Sequence, residues 1–423
     1  MAQLTDDCFA FSGPLLPVDD LEHIIRARVV PVEDTETVTL AQARGRTLAY
    51  DVAAPIDLPP FDNSAVDGYT VRYADLAPQS DTTLAVVDRI TAGRVASHPI
   101  APGAAIQIFT GAPMPDGADT VFMQEDVRTE GGNVIVPPGL KRGSNRRLAG
   151  EDIRAGSVAL PAGRVLSIAD VALASALGLT GLAVRRRIRV ALFSTGDELT
   201  EPGRPLSRAS LYDANRILLA GLIESLGAVV TDLGILRDDP ATLARALKDA
   251  ANGHDLVLTS GGVSTGEADH VRAAVEAIGS LVFWRVAIKP GRPVAMGVIP
   301  GAAGASAAFV GLPGNPVAAF VTFVRVVRPL IMRLSGASAA PLVTLPVRSA
   351  FGYRKKHGRR EYVRVSLRRA ADGVIEAFKH RQEGAGVLTS LTETDGLVEL
   401  PENVTTVEPG STVGFLFYTS LVG

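Results

Sequence analysis

The amino-acid sequence predicts a multidomain α/β plus β protein. It comprises a doubly wound, mostly parallel α/β domain, an inserted small β domain, a mixed scaffold domain and a C-terminal β domain. Three patterns lead to this reading. From Ile188 onward, apolar strand-sized runs alternate with helical periodicity, which implies a parallel sheet with helices on both faces. Between about residues 56 and 143, short apolar runs alternate with Gly/Pro turns. The same texture returns after Pro341, and both stretches read as small β domains.

In order, Pro17 to Ala27 (PVDDLEHIIRA) starts with Pro-Asp and places Leu21, Ile24 and Ile25 on one helical face. Val38 to Ala49 reads as a strand turning into a helix. From Ala54 the chain becomes PIDLPPFDNSAVDGYTVR, punctuated too often for a helix. The helix expected at Ala169 to Leu177 resembles the early scaffold more than the β module, so the module is expected to be an insertion. The expected division is a discontinuous scaffold at 17–55 and 144–184, an inserted β domain at 56–143, an α/β domain at 185–337 and a C-terminal β domain at 338–423.

Composition narrows the function classes. The 423 residues are 47% hydrophobic and 21% charged with a net charge of −3, ordinary for a folded enzyme. No global electrostatic pull towards nucleic acid or an anionic membrane is present. The single cysteine, Cys8, gives no disulfide framework and fits a reducing compartment. Asp6 and Asp7 stand where a secretion signal carries positive charge, and the apolar stretch Ala307 to Val327 is broken by Pro313 and Pro316. A cytoplasmic protein, with neither nucleic-acid nor membrane partners, is the expectation.

The chemistry centres on Ser260 to His270 (SGGVSTGEADH), which lies between a strand and a helix. Gly261, Gly262 and Gly266 free the backbone so that successive N–H groups can converge, and Ser264 and Thr265 add hydroxyls. A following helix start adds positive dipole, so the loop reads as an anion cradle with its nucleotide class open. Glu267 and Asp269 fit a helix start; beside a phosphate they also suggest Mg²⁺. Asp238 and Asp239 before Pro240 supply one cap and one spare acid. Asp197 and Glu198 stand at a further strand end. Lys289 to Pro293 (KPGRP) carries a cation on each side of a rigid turn. In Gly311 to Pro316 (GLPGNP), Asn315 reads as an N-cap with exposed helix amides beyond it. Asp67-Gly68 alone reads as a hairpin turn, and Thr110 and Asp152 carry no signal of their own. The cluster Arg354 to Arg360 reads as a solvated hairpin tip, and the histidines show no zinc spacing.

Taken together, FDNSAVDGY, FTGAP, GEDI, FSTGDEL, SGGVSTGEADH, KPGRP and GLPGNP resemble, in order and spacing, the molybdopterin molybdenumtransferase (molybdenum insertase) family, which includes the E domain of gephyrin. The likeness runs from about residue 17 to the end. It implies insertion of molybdenum from molybdate into adenylylated molybdopterin with release of AMP, and identifies the α/β unit as a molybdopterin-binding domain. By this resemblance Ser260, Gly261, Gly262, Ser264, Gly266, Pro290, Gly291, Gly314 and Asn315 hold the pterin and nucleotide phosphates. Asp238, Asp269 and Glu198 match acids assigned to Mg²⁺ and the catalytic centre. Asp67, Thr110 and Asp152 match functional positions in the other regions, Lys289 matches a lysine that neutralises anions, and Arg285 stands where relatives often carry lysine. The resemblance also implies a homodimer with the site shared between subunits. Two alternatives are an adenylyltransferase acting on molybdopterin one step earlier and a non-catalytic, gephyrin-like dimeric scaffold.

Overall fold

The strand Arg189–Thr195 (RVALFST) is apolar along almost its whole length because both faces of its sheet are covered. Val190 and Leu192 pack into one core with Leu219, Leu222 and Ile223 of the helix Asn215–Ser225. Ala191 and Phe193 point the other way, into a core shared with Leu243 and Leu247 of Pro240–Ala251 and Val271 and Val275 of His270–Ile278. Each fully buried side chain of this size contributes roughly 1.5 to 3 kcal/mol to folding. A computed structural model of the chain describes residues 15–261, 270–291, 293–338 and 341–422.

The sheet runs in the order Val229–Leu236, Arg189–Thr195, Leu256–Ser260, Ser306–Leu312, Pro293–Pro300, Ser280–Arg285. The first four strands are parallel. Pro293–Pro300 alone runs against both its neighbours, so the expected mostly parallel, doubly wound sheet is present with one reversed strand. Thr195, Leu236, Ser260 and Leu312 consequently end at one rim. Chain reversals beyond the carboxyl ends of parallel strands are where ligands of such sheets bind.

A second six-stranded sheet lies wholly within residues 68–136. The segments before and after it pair with each other: Thr35–Thr39 with Gly181–Arg185, and Val52–Ala53 with Val158–Leu160. Five strands of the C-terminal sheet close on themselves through the pairing of Arg360–Arg369 with Gly396–Leu400, forming a small barrel. The two-residue strand Ile288–Lys289 leaves the α/β sequence to join this barrel beside Arg360 and Glu361. Lys289 is thereby fixed at the junction of the two units. Ala307 to Leu312 and Val317 to Val327 are buried on either side of the more open turn at 313–316, and no helix among the described residues is long and apolar enough to cross a membrane.

The hairpin at Arg354 to Arg360 departs from the expected solvated tip. Arg354, Lys356 and His357 are exposed, but Arg360 pairs with Glu402 and Asp19 at 3.1 Å, and Arg359 lies 3.5 Å from Glu361. Its last two cations are therefore structural.

Candidate functional site

At the carboxyl rim of the α/β sheet lies a cavity of about 520 Å³. Its floor is Ser194, Thr195, Ser260 and Gly261; its walls include Glu198, Asn215, Gly314 and Asn315. The strand ends converge because a side chain ties them together. Asn215 donates its amide to Ser260 Oγ at 2.7 Å and to the carbonyl of Gly314 at 2.7 Å. Sequence reasoning missed Asn215, since one asparagine at a helix start signals only a cap.

Gly261 is at φ +91°, and a Cβ there would meet the carbonyl oxygen of Thr195 at 2.8 Å. The glycine is thus required both for its left-handed backbone and for close approach to the next strand. Its own N–H donates to Leu312 O at 3.0 Å, so this first amide of the loop is already engaged. Gly262, Ser264, Gly266 and Asp269 lie outside the described residues. Buried hydroxyls of Ser194, Thr195 and Thr259 have no hydrogen-bond partner among the described residues.

The acids divide by role. Asp239 caps Pro240–Ala251 by accepting from Thr242 N at 2.8 Å, and bonds to Thr242 hold its pKa below the usual value. Asp238 is left spare, with Oδ1 covered and unpaired among the described residues. Glu198 is exposed and lines the cavity. Behind the wall, Arg216 pairs with Asp213 at 3.0 Å and also with Asp232 and Glu201. Burial disfavours its charge, but the bonds to Asp232 and Asp213 outweigh this and raise its pKa.

A second cavity, of about 410 Å³, lies between the α/β domain and the barrel and shares Asn315 with the first. Lys289, Pro290 and Gly291 face Arg364, Lys379 and His380 across it. Gly291 is at φ +101°, and a Cβ there would meet Thr322 Oγ1 at 2.3 Å. Lys289 Nζ donates to Glu361 at 3.2 Å and to Tyr353 Oη at 3.3 Å. Burial opposes its charge, whereas Tyr353 and Glu361 favour it, with a net rise in pKa. Arg364 donates to Ser390 Oγ at 3.1 Å. Arg364 and Lys379 were not singled out in the sequence; the structure places them on the barrel strands Arg360–Arg369 and Ile375–Lys379.

Asn315 corrects one expectation. It occupies the N-cap position before Pro316, yet its side chain makes no capping hydrogen bond and lines both cavities. The amide of Val317 in that first turn donates to Ala385 O at 3.0 Å. The helix start is therefore stitched to the barrel domain and does not offer a free row of amides.

In the β module, Asp67 Oδ1 accepts from Thr110 N at 2.8 Å and Thr110 Oγ1 at 2.7 Å. These two bonds hold the Asp67 pKa below its usual value. Asp67 and Thr110 thus form one unit, unseen in either motif separately. Asp152 lies on the loop paired with Leu58. None of the three lines either cavity. Arg285 is exposed at the end of an outer strand and lines neither cavity. Among the described residues, no cluster of three or more His, Cys, Asp or Glu could hold a metal ion.

Comparison with known proteins agrees with this architecture along most of the chain. Residues 16–178 match the MoeA N-terminal region (domain I and II), 191–333 a probable molybdopterin binding domain, and 346–418 the MoeA C-terminal region (domain IV). The chain is 37% identical over 397 residues to the molybdopterin molybdenumtransferase of Haemophilus influenzae, covering 92% of this chain and 95% of that protein. It is 37% identical over 409 residues to the molybdopterin molybdenumtransferase of a Nostoc species, covering 95% and 93%. The crystal structure of the molybdopterin biosynthesis moeA protein from Pyrococcus horikoshii superposes with a TM-score of 0.80 at 30% identity, covering 96% of this chain and 100% of that one. With its doubly wound domain, β module and C-terminal barrel in the family's order, the chain belongs to the MoeA family of molybdopterin molybdenumtransferases, transferases of molybdenum cofactor biosynthesis.

Proposed function

We propose that this protein transfers molybdenum from molybdate into adenylylated molybdopterin and releases AMP. The observation that carries this reading is the pair of adjoining cavities that share Asn315, one at the glycine-loop rim and one lined by Lys289, Arg364 and Lys379. The first suits a phosphate-bearing pterin nucleotide. The second, with its three cationic side chains, suits a tetrahedral oxyanion such as molybdate.

In this reading Ser260 and Gly261, with Gly262, Ser264 and Gly266 beyond them, hold the pterin and nucleotide phosphates together with Gly314 and Asn315. Pro290 and Gly291 shape the oxyanion cleft, where Lys289 neutralises charge. The covered Oδ1 of Asp238, unpaired among the described residues, fits a hard cation, and Asp238, Glu198 and Asp269 are assigned to Mg²⁺. When bound, Mg²⁺ shields the phosphoanhydride charge. Asp67, Thr110 and Asp152 complete the site from the β module of a second subunit, in a homodimer, because a single chain keeps them out of both cavities. The part of Arg285 in molybdate handling rests on resemblance alone. The domain division at 17–55 with 144–184, 56–143, 185–337 and 338–423 and a cytoplasmic location complete the proposal.

Purified protein incubated with adenylylated molybdopterin, molybdate and Mg²⁺ tests it. AMP should appear only when molybdate is present, together with a product that activates a cofactor-free molybdoenzyme. Transfer of AMP from ATP onto molybdopterin, with no molybdate-dependent release, would instead identify the earlier adenylylation step.

A further inference from the structure

Between the Thr195 strand end and the helix Asn215–Ser225, the chain makes an excursion over residues 196–213. Two short strands, Leu199–Thr200 and Leu211–Tyr212, pair within it. The excursion forms one wall of the glycine-loop cavity through Glu198, Leu211 and Tyr212. It has little apolar anchorage: Leu206, Leu211 and Tyr212 are 49%, 52% and 44% exposed. At its tip Ala209 sits at φ +70°, a left-handed conformation that disfavours a side chain with a Cβ. Segments with few buried apolar contacts open at low free-energy cost.

Arg216 supplies the missing tether. It is 6% exposed, is held by Asp213 at the base of the excursion and by Asp232 on the neighbouring strand, and extends its remaining nitrogen to Glu201 farther out on the excursion. The neighbouring Asn215 bonds to Ser260 and Gly314, so one helix turn holds both the floor and the wall. We propose that Arg216 is a positioning residue, which through its ion pair with Glu201 latches the 196–213 wall against the cavity and so sets affinity for the nucleotide end of the substrate. This rests on the assignment of that cavity to a pterin nucleotide.

Arg216→Met leaves Asp213 buried without its partner and is expected to compromise folding. Glu201→Gln is the sharper test, because it removes only the latch. Trypsin reads the opening at the Arg208–Ala209 bond, which is exposed. Glu201→Gln should be cleaved there about fivefold faster than wild type, the scale of one partly exposed ion pair. AMP should slow that cleavage in wild type. KM for adenylylated molybdopterin should rise about fivefold, with kcat changed less than about twofold. Cleavage at the wild-type rate would overturn the latch, and faster cleavage with unchanged KM would overturn its effect on the site. If the wild-type protein has no transferase activity, the cavity assignment fails, while the cleavage rates still decide the latch.

Discussion

The side-chain amide of Asn215 donates to the Oγ of Ser260 at 2.7 Å across 45 residues of sequence. Its second proton goes to Gly314, so one amide fixes the spacing of the two loops that line the rim cavity. Asn215→Ala strands two polar partners and should lower stability by about 1 to 3 kcal/mol. Thermal unfolding measures that loss. Binding of AMP should weaken in the same variant, because the Ser260 and Gly314 loops lose their common restraint.

Gly261→Ala should be worse for function than for folding. The φ of +91° and the 2.8 Å approach to Thr195 O both reject a Cβ, with a cost of roughly 1 to 3 kcal/mol concentrated at the loop. Circular dichroism should remain native while AMP binding, followed by calorimetry, is lost.

Fold and site were unequally readable from the amino-acid sequence. The doubly wound sheet was visible because VALF in Arg189–Thr195 is buried on both faces, so apolar character is continuous in the chain. That one of Asp238 and Asp239 caps the helix and the other is spare was likewise visible, since capping is local; the structure assigns the cap to Asp239. Asn215 was hidden, as its two bonds span 45 and 99 residues. Asn315 misled for a similar reason: its cap signal is local, but the Ala385 carbonyl and the barrel domain decide what the helix start does. The cleft cations Arg364 and Lys379 come from barrel strands, where their spacing follows the pleat and carries no site signal.

Thr110→Val should raise the Asp67 pKa part of the way back to 3.8, because the hydroxyl bond is lost while the backbone bond from Thr110 remains. The sign follows from the depressed carboxyl: the bonds to Thr110 are retained above pH 3.8 and lost as pH falls through the lower folded value. Carbon-detected NMR titration of the Asp67 carboxyl checks the shift. Transferase activity should fall in the variant at neutral pH, where the carboxylate is ionised in both proteins, through misorientation and not through charge.

Lys289→Met should raise the molybdate concentration needed for half-maximal activity by roughly tenfold, as expected for loss of one charged contact. The variant also leaves Glu361, 1% exposed, without its lysine. Glu361→Gln should lower the Lys289 pKa, since Glu361 is one of the groups that raise it above 10.5. For wild type, the stabilising contribution of Lys289 is full below pH 10.5 and disappears as pH rises through the higher folded value. Alkaline unfolding of wild type and Glu361→Gln, compared above pH 10.5, checks the direction.

If the site is shared in a homodimer as proposed, the Asp67–Thr110 unit of one subunit meets the Asp238 rim of the other. The most direct measurement is the activity of a purified heterodimer, selected with two affinity tags, of one Asp67→Asn and one Asp238→Asn subunit. Each homodimer should be inactive. In the heterodimer one of the two sites combines the intact β module of one subunit with the intact α/β rim of the other, so about half of wild-type AMP release should return. A heterodimer as inactive as its parents would contradict a site shared between subunits.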